Sequence, residues 1–102
     1  MNNFGYVLAT KMLVENKHKV RFMYREEGKN GDSGWRFFCG DEDQAYTDNS
    51  DNIAIYDVDT IIAIDKSISP YLNSAPGVAY EREDGNAVFV ASKEFDFKEE
   101  VD

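Results

Sequence analysis

Eight carboxylates, Asp41, Glu42, Asp43, Asp48, Asp51, Asp57, Asp59 and Asp65, fall within residues 37–65, a stretch with no Lys or Arg. Carboxylates in such a block can hold a hard cation, work as an acid–base pair, or present a negative field to a basic partner. Their spacing argues against a calcium loop. A calcium loop begun at Asp48 puts Ile53 where the sharp turn needs Gly and Asp59 where a bidentate Glu belongs, and one begun at Asp41 puts Ala45 at a ligand position. Acid–base work fares no better, because no neighbouring base, nucleophile or nucleotide loop defines a reacting centre. What remains is the field itself, either a solvated surface or a docking surface for a basic partner. Tyr46, inside the block, is of a type enriched in protein interfaces.

The other reactive side chains are few. One Cys and one His are present, so a Cys–His pair can only be Cys39 with His18, and the Lys17-His18-Lys19 context favours an exposed, unremarkable imidazole. No second Cys or paired His gives zinc-ligand spacing, and Gly28, Gly31 and Gly34 lack the spacing and Lys of a phosphate-binding loop. The sequence therefore predicts no catalytic residue, no metal and no cofactor. In 102 residues, 20 acidic side chains stand against 11 basic ones, a net charge of −9, which argues against duplex binding, where Lys and Arg supply the affinity. The balance is uneven. Residues 1–29 hold six bases and three acids, a local +3, leaving −12 for the rest. With 42% hydrophobic and 14% aromatic residues, the charge decorates a core and does not replace one. The length suits a single domain over residues 1–102. Without a basic-then-apolar leader or a run of about 18 apolar residues, the expected location is cytoplasmic.

Periodicity supplies the elements that must position the block. Residues 4–9 read as a first strand, with Thr10 as N-cap of a short helix through Asn16. Lys19 to Arg25 alternates, predicting a strand with Val20, Phe22 and Tyr24 inward and Arg21, Met23 and Arg25 on the wetter face. After a polar loop over 26–33, residues 34–39 form its hairpin partner, with Trp35, Phe37 and Cys39 on one face and Phe38 on the other. Trp35, Phe37, Phe22 and Tyr24 then fill the hairpin core, and Phe38 is left for a second packing surface or a partner contact. Ile53 to Tyr56 reads as a short strand, Asp57 as N-cap of a helix to Ile64, and Ser69-Pro70 as a further helix start with Ile68, Tyr71 and Leu72 inward. Residues 78–82 and 87–90 form a second hairpin around Asp84-Gly85, and Phe95 and Phe97 pin a final edge segment. The fold class is α+β: a twisted antiparallel sheet built from two hairpins, with short helices packed on one face.

The run from Asp32 through Ser33-Gly34-Trp35-Arg36-Phe37-Phe38-Cys39-Gly40-Asp41-Glu42 to Asp43, followed by Tyr46, Asp51-Asn52 and Tyr56, resembles a bacterial family first catalogued as a domain of unknown function. That family was later grouped with the immunity proteins of polymorphic toxin systems as immunity protein thirty-three-like. The resemblance extends from Met23-Tyr24-Arg25 to Tyr80-Glu81-Arg82, most of the chain; Cys39 stands where the pattern has a small hydroxyl or Ala residue. It implies a non-enzymatic protein that binds and neutralises a cognate toxin domain in the producing cell. Joined to the charge pattern, it assigns partner binding to Asp41, Glu42, Asp43, Tyr46, Asp48 and Asp51, and scaffold roles to Trp35, Arg36, Phe37 and Gly40. Arg36 is left as either a salt-bridge partner of the acidic loop or an exposed charge. Two other classes stay open: an interaction or regulatory domain with no toxin, and a metal-assisted enzyme working through the Asp41–Asp51 carboxylates.

Overall fold

A computed structural model describes residues 5–92. The elements follow in the order β1 (Tyr6–Thr10), α1 (Lys11–Glu15), β2 (Phe22–Arg25), β3 (Asp32–Phe38), α2 (Gln44–Asp48), β4 (Ile53–Asp57), α3 (Val58–Ile64), β5 (Val78–Glu81) and β6 (Val90–Ala91), with 3-10 turns at Ser50–Asn52 and Lys66–Tyr71. The six strands form one sheet in the order β4-β1-β3-β2-β5-β6. The α+β class holds, but the sheet is mixed, because β1 runs parallel to β3 while every other neighbouring pair is antiparallel. The cause is an insertion. The chain leaves a gap of one strand between β1 and β2, and β3 folds back from β2 into that gap. The edge segment expected around Phe95 and Phe97 lies outside the described residues, as does Phe4 of the first strand.

Several local signals act as the chemistry dictates. Thr10 caps α1, its hydroxyl accepting from Leu13 N–H at 3.2 Å. The helix ends within two turns, where Lys17 adopts a left-handed φ of 55° and His18 N–H returns to Leu13 O at 2.9 Å. Trp35 and Phe37 are wholly buried and stack with centroids 5.9 Å apart, and the indole N–H donates to Leu72 O at 3.1 Å. They face α1, α3 and the Lys66–Tyr71 turn, whose Leu13, Val58, Ile61 and Ile68 complete the core with Val7, Ala9 and Met23. Short helices on one face of the sheet are thus as expected.

Four local expectations are corrected. In β2 the faces are reversed: Met23, opposite Phe37, is fully buried, while Phe22 and Tyr24 join Phe38 on the far face, with ring centroids 5.7 Å (Phe22–Phe38) and 6.0 Å (Tyr24–Phe38) apart. Val20 misleads because it is buried by another route: it lies before the strand, and its N–H is taken by Asp65. The second 3-10 turn is capped by Asp65, which accepts from Ser67 N–H at 3.1 Å, and Ser69-Pro70 lies inside it. The second hairpin forms with a shorter return strand, Val90–Ala91. Its turn is held by the Asp84 carboxylate accepting from Asn86 N–H at 2.7 Å, not by a positive φ at Gly85.

The fourth correction concerns Asp65 itself, the last member of the acidic block. It is 1% exposed and receives Arg82 Nη2 at 2.6 Å, Val20 N–H at 2.9 Å and Ser67 Oγ at 2.6 Å. Arg82, also buried, spends Nε on Val20 O at 2.8 Å and lies over the Phe89 ring at 4.0 Å. Burial pushes the Asp65 carboxyl up, but the bonds from Ser67 and Val20 and the charge of Arg82 outweigh it and hold the group below its ordinary value. Asp65→Ala strands a buried guanidinium and should cost about 3–5 kcal/mol in urea unfolding at neutral pH. Because the folded-state value is depressed, this contribution is present above the ordinary value of 3.8 and fades as pH falls below it. The gap between wild type and variant should therefore narrow below about pH 4.

Candidate partner-binding surface

The acidic segment from Cys39 to Asn52 crosses the end of the sheet and is bound to it from beneath. β3 ends at Phe38, and the chain turns through Gly40 at φ 95°, where a Cβ would come within 3.1 Å of the Arg21 guanidinium. Glu42 then points back into the protein. Its carboxylate accepts from the buried Thr10 hydroxyl at 2.5 Å, from Cys39 N–H at 2.9 Å and from Gly40 N–H at 2.9 Å. Half-burial would raise its pKa, but these donors prevail and hold it below the ordinary value. Asp43 caps α2, accepting from Tyr46 N–H at 2.8 Å. The Tyr46 hydroxyl accepts from Met12 N–H at 2.9 Å, which ties α2 to the first turn of α1, where a backbone donor has no helical partner.

The six residues expected to meet a partner therefore divide. Asp41, Asp43, Asp48 and Asp51 are exposed, with Asp41 4.0 Å from Arg21 Nη1 and Asp48 accepting from Gln44 at 2.8 Å. Glu42 and Tyr46 are part-buried, with their polar atoms in internal bonds. The scaffold residues also sort themselves. Arg36 is neither exposed nor paired with the acidic loop: it is 8% exposed and bonds Asp32 at 2.8 Å and Glu26 at 2.7 Å. The Arg36 hydrogen bonds hold the Asp32 carboxyl below its ordinary value.

The sheet face opposite the helices is the feature sequence reasoning found only in Phe38. By register, Leu8, Ile53, Ile55, Phe22, Tyr24 and Phe38 project from it together. A cavity of about 160 Å³ opens there, lined by residues including Leu8, Tyr24, Arg36, Phe38 and Ile53, none from a helix. Ile55 on this face is 61% exposed, and the carboxylates of Glu26, Asp32, Asp57 and Glu81 outnumber Arg36 on or beside it. The signal was present as alternation, but its phase was set by Val20.

Cys39 does not read as a nucleophile. Burial, helped by the nearby Glu42 and Asp41 carboxylates, outweighs the hydrogen bond at the Asp41 backbone and pushes the thiol up to about 11, so it is protonated at neutral pH. Yet the fold does bring it close to His18 and Asp41, with one donor atom from each residue within 4.8 Å of the others. Among the described residues, no helix is long and apolar enough to cross a membrane.

Comparison with known proteins gives one finding: the model of the family described as Immunity protein Imm33 domain matches residues 7–92. No curated protein and no solved structure matches the chain. The matched region includes both the acidic segment and the open sheet face. As a local check on the geometry, Glu42→Ala should cost about 1.5–3 kcal/mol, the range for hydrogen bonds to a charged group. It should also speed hydrogen exchange at the Cys39 and Gly40 amides, measured by NMR, while the amide of Trp35 stays protected.

Proposed function

Since the chain belongs to the Imm33 immunity protein family, we propose that it is a non-enzymatic immunity protein that binds a cognate toxin domain and neutralises it through an acidic surface. The observation that carries this reading is the division within the acidic segment. Asp41, Asp43, Asp48 and Asp51 face solvent while Glu42 and Tyr46 hold the same backbone from below. Charge presented on a held loop keeps its geometry when a partner arrives, so less ordering entropy opposes association. Complementary potential also accelerates encounter and rejects wrong partners. A toxin domain with a basic cleft for nucleic acid or another anion meets such a surface as a phosphate mimic would.

Charge alone gives rate more readily than affinity, and the apolar contribution has an available source next to it. The open sheet face supplies Ile55, Leu8 and the Phe22–Tyr24–Phe38 cluster, and Ile53 follows directly on the acidic segment. Buried aromatic and aliphatic anchors inside a charged rim are the usual composition of a tight interface. The partner is accordingly expected to present basic side chains around an apolar patch.

Reversing Asp41, Glu42 and Asp43 together would confuse binding with folding, because Glu42 and Asp43 have structural bonds. The clean variants are Asp48→Lys with Asp51→Lys, and separately Ile55→Asp. Stopped-flow and calorimetry with the cognate toxin domain should show the double reversal slowing association at least tenfold at low salt, an effect that shrinks as salt screens it. Ile55→Asp should chiefly speed dissociation. Melting temperatures should stay near wild type. Unchanged binding in both variants would remove this surface from the interface. A failure of the wild-type chain to bind or protect against any toxin domain encoded beside it would remove the immunity reading.

A further inference from the structure

The fold assembles three chemically different donors from two separate stretches of the chain. His18 leaves the end of α1, fixed by its own N–H on Leu13 O at 2.9 Å. Cys39 and Asp41 leave the end of β3 on either side of Gly40, where Glu42 fixes the backbone by accepting from Cys39 N–H and Gly40 N–H, each at 2.9 Å. An imidazole nitrogen, the thiol sulfur and a carboxylate oxygen lie within 4.8 Å of one another. We infer that His18, Cys39 and Asp41 form a binding site for a thiolate-preferring divalent cation of the zinc class, with water completing the coordination.

The donor set suits that ion. Sulfur and imidazole nitrogen favour zinc-like cations over calcium or magnesium, and one carboxylate beside them is an ordinary third ligand. Metal–donor bonds of about 2.0–2.3 Å in a tetrahedron require donors about 3.3–3.7 Å apart, so the set must close by about 1 Å. Asp41 and His18 are exposed and can turn inward, whereas Cys39 is 3% exposed and supplies the fixed point. Solvent reaches the site from the Asp41 side, which gives the ion an entry path and the fourth ligand its place.

Charge also balances. A dication with one thiolate, one carboxylate and a neutral imidazole sums to zero, and the adjoining Arg21 and Glu42 cancel each other. The Arg21–Asp41 pair is long, at 4.0 Å, with side chains 39% and 62% exposed, and an exposed contact of that length is worth little. Binding forms a metal–sulfur bond and releases the thiol proton to solvent, with no change of oxidation state.

Cobalt(II) titration of the full-length reduced protein tests this directly, because cobalt replaces zinc in such sites and reports its ligands in absorbance. A single equivalent should produce a near-ultraviolet sulfur-to-cobalt charge-transfer band and visible bands of four-coordinate cobalt, displaced by zinc, with the protein monomeric by light scattering. Cys39→Ser should abolish the charge-transfer band. His18→Gln and Asp41→Asn should each weaken binding at least tenfold, with metal-free melting curves close to wild type. His18→Gln lies outside the core, so it decides the matter even if Cys39→Ser folds poorly. The inference is overturned by the lack of a charge-transfer band, by cobalt affinity unchanged in His18→Gln, or by a band that appears only as two chains associate.

Discussion

The buried pair of Asp65 and Arg82 is the constraint on which the rest of the chain is arranged. Taking both charges out of water costs several kcal/mol per ion, and their attraction recovers this only when the remaining donors and acceptors find partners. Here the partners come from separate parts of the fold. Val20 contributes both its N–H and its carbonyl, Ser67 its hydroxyl, and Ala87 a carbonyl at 3.2 Å from Arg82 Nη1. One polar cluster thereby fixes where β2 begins, where α3 gives way to the 3-10 turn, and how the loop between β5 and β6 returns over Phe89. An apolar cluster of similar volume would hold these parts together with less demand on their relative positions.

That arrangement explains what could be read from the sequence and what could not. Features set by neighbours along the chain were legible: the Thr10 cap, the Trp35–Phe37–Cys39 face, the β4–α3 junction at Asp57 and the α+β class. Features set across the fold were not. Val20 carries the pattern of an inward strand residue, yet its burial comes from a carboxylate 45 positions away, and counting alternation from it inverts β2. The parallel neighbours β1 and β3 are likewise a matter of insertion, which no period of hydrophobic residues encodes.

The acidic block shows the same limit. Along the chain Asp41, Glu42 and Asp43 are three equivalent charges. In space Asp41 faces water, Glu42 reaches Thr10, 32 positions back, and Asp43 closes a helix turn. Asp65, at the other end of the block, has no part in any surface. The negative field is consequently smaller and more localised than its composition suggests, and the carboxylates left in it are those with no structural duty to a buried donor. The Lys17 and Lys19 neighbours that make His18 look unremarkable along the chain say nothing of Cys39 and Asp41, which the fold brings within 4.8 Å of it.

The placement of β1 has a consequence for how the chain comes into being. Of the described strands β1 is synthesised first, and both of its neighbours, β3 and β4, come later, β4 ending at Asp57. Until β4 emerges one edge of β1 has no strand to meet, whereas β2 and β3 can pair as soon as each has emerged and β3 can then take up the other edge. A ribosome-bound nascent chain stopped before β4 would hold a formed hairpin and an apolar strand with one edge open, the kind of species that nascent-chain chaperones hold. Completion of β4 closes that edge, and it is the same stretch of chain that brings Ile53 and Ile55 to the open face. The surface proposed to meet a toxin thus comes into existence only as β1 gains its second neighbour.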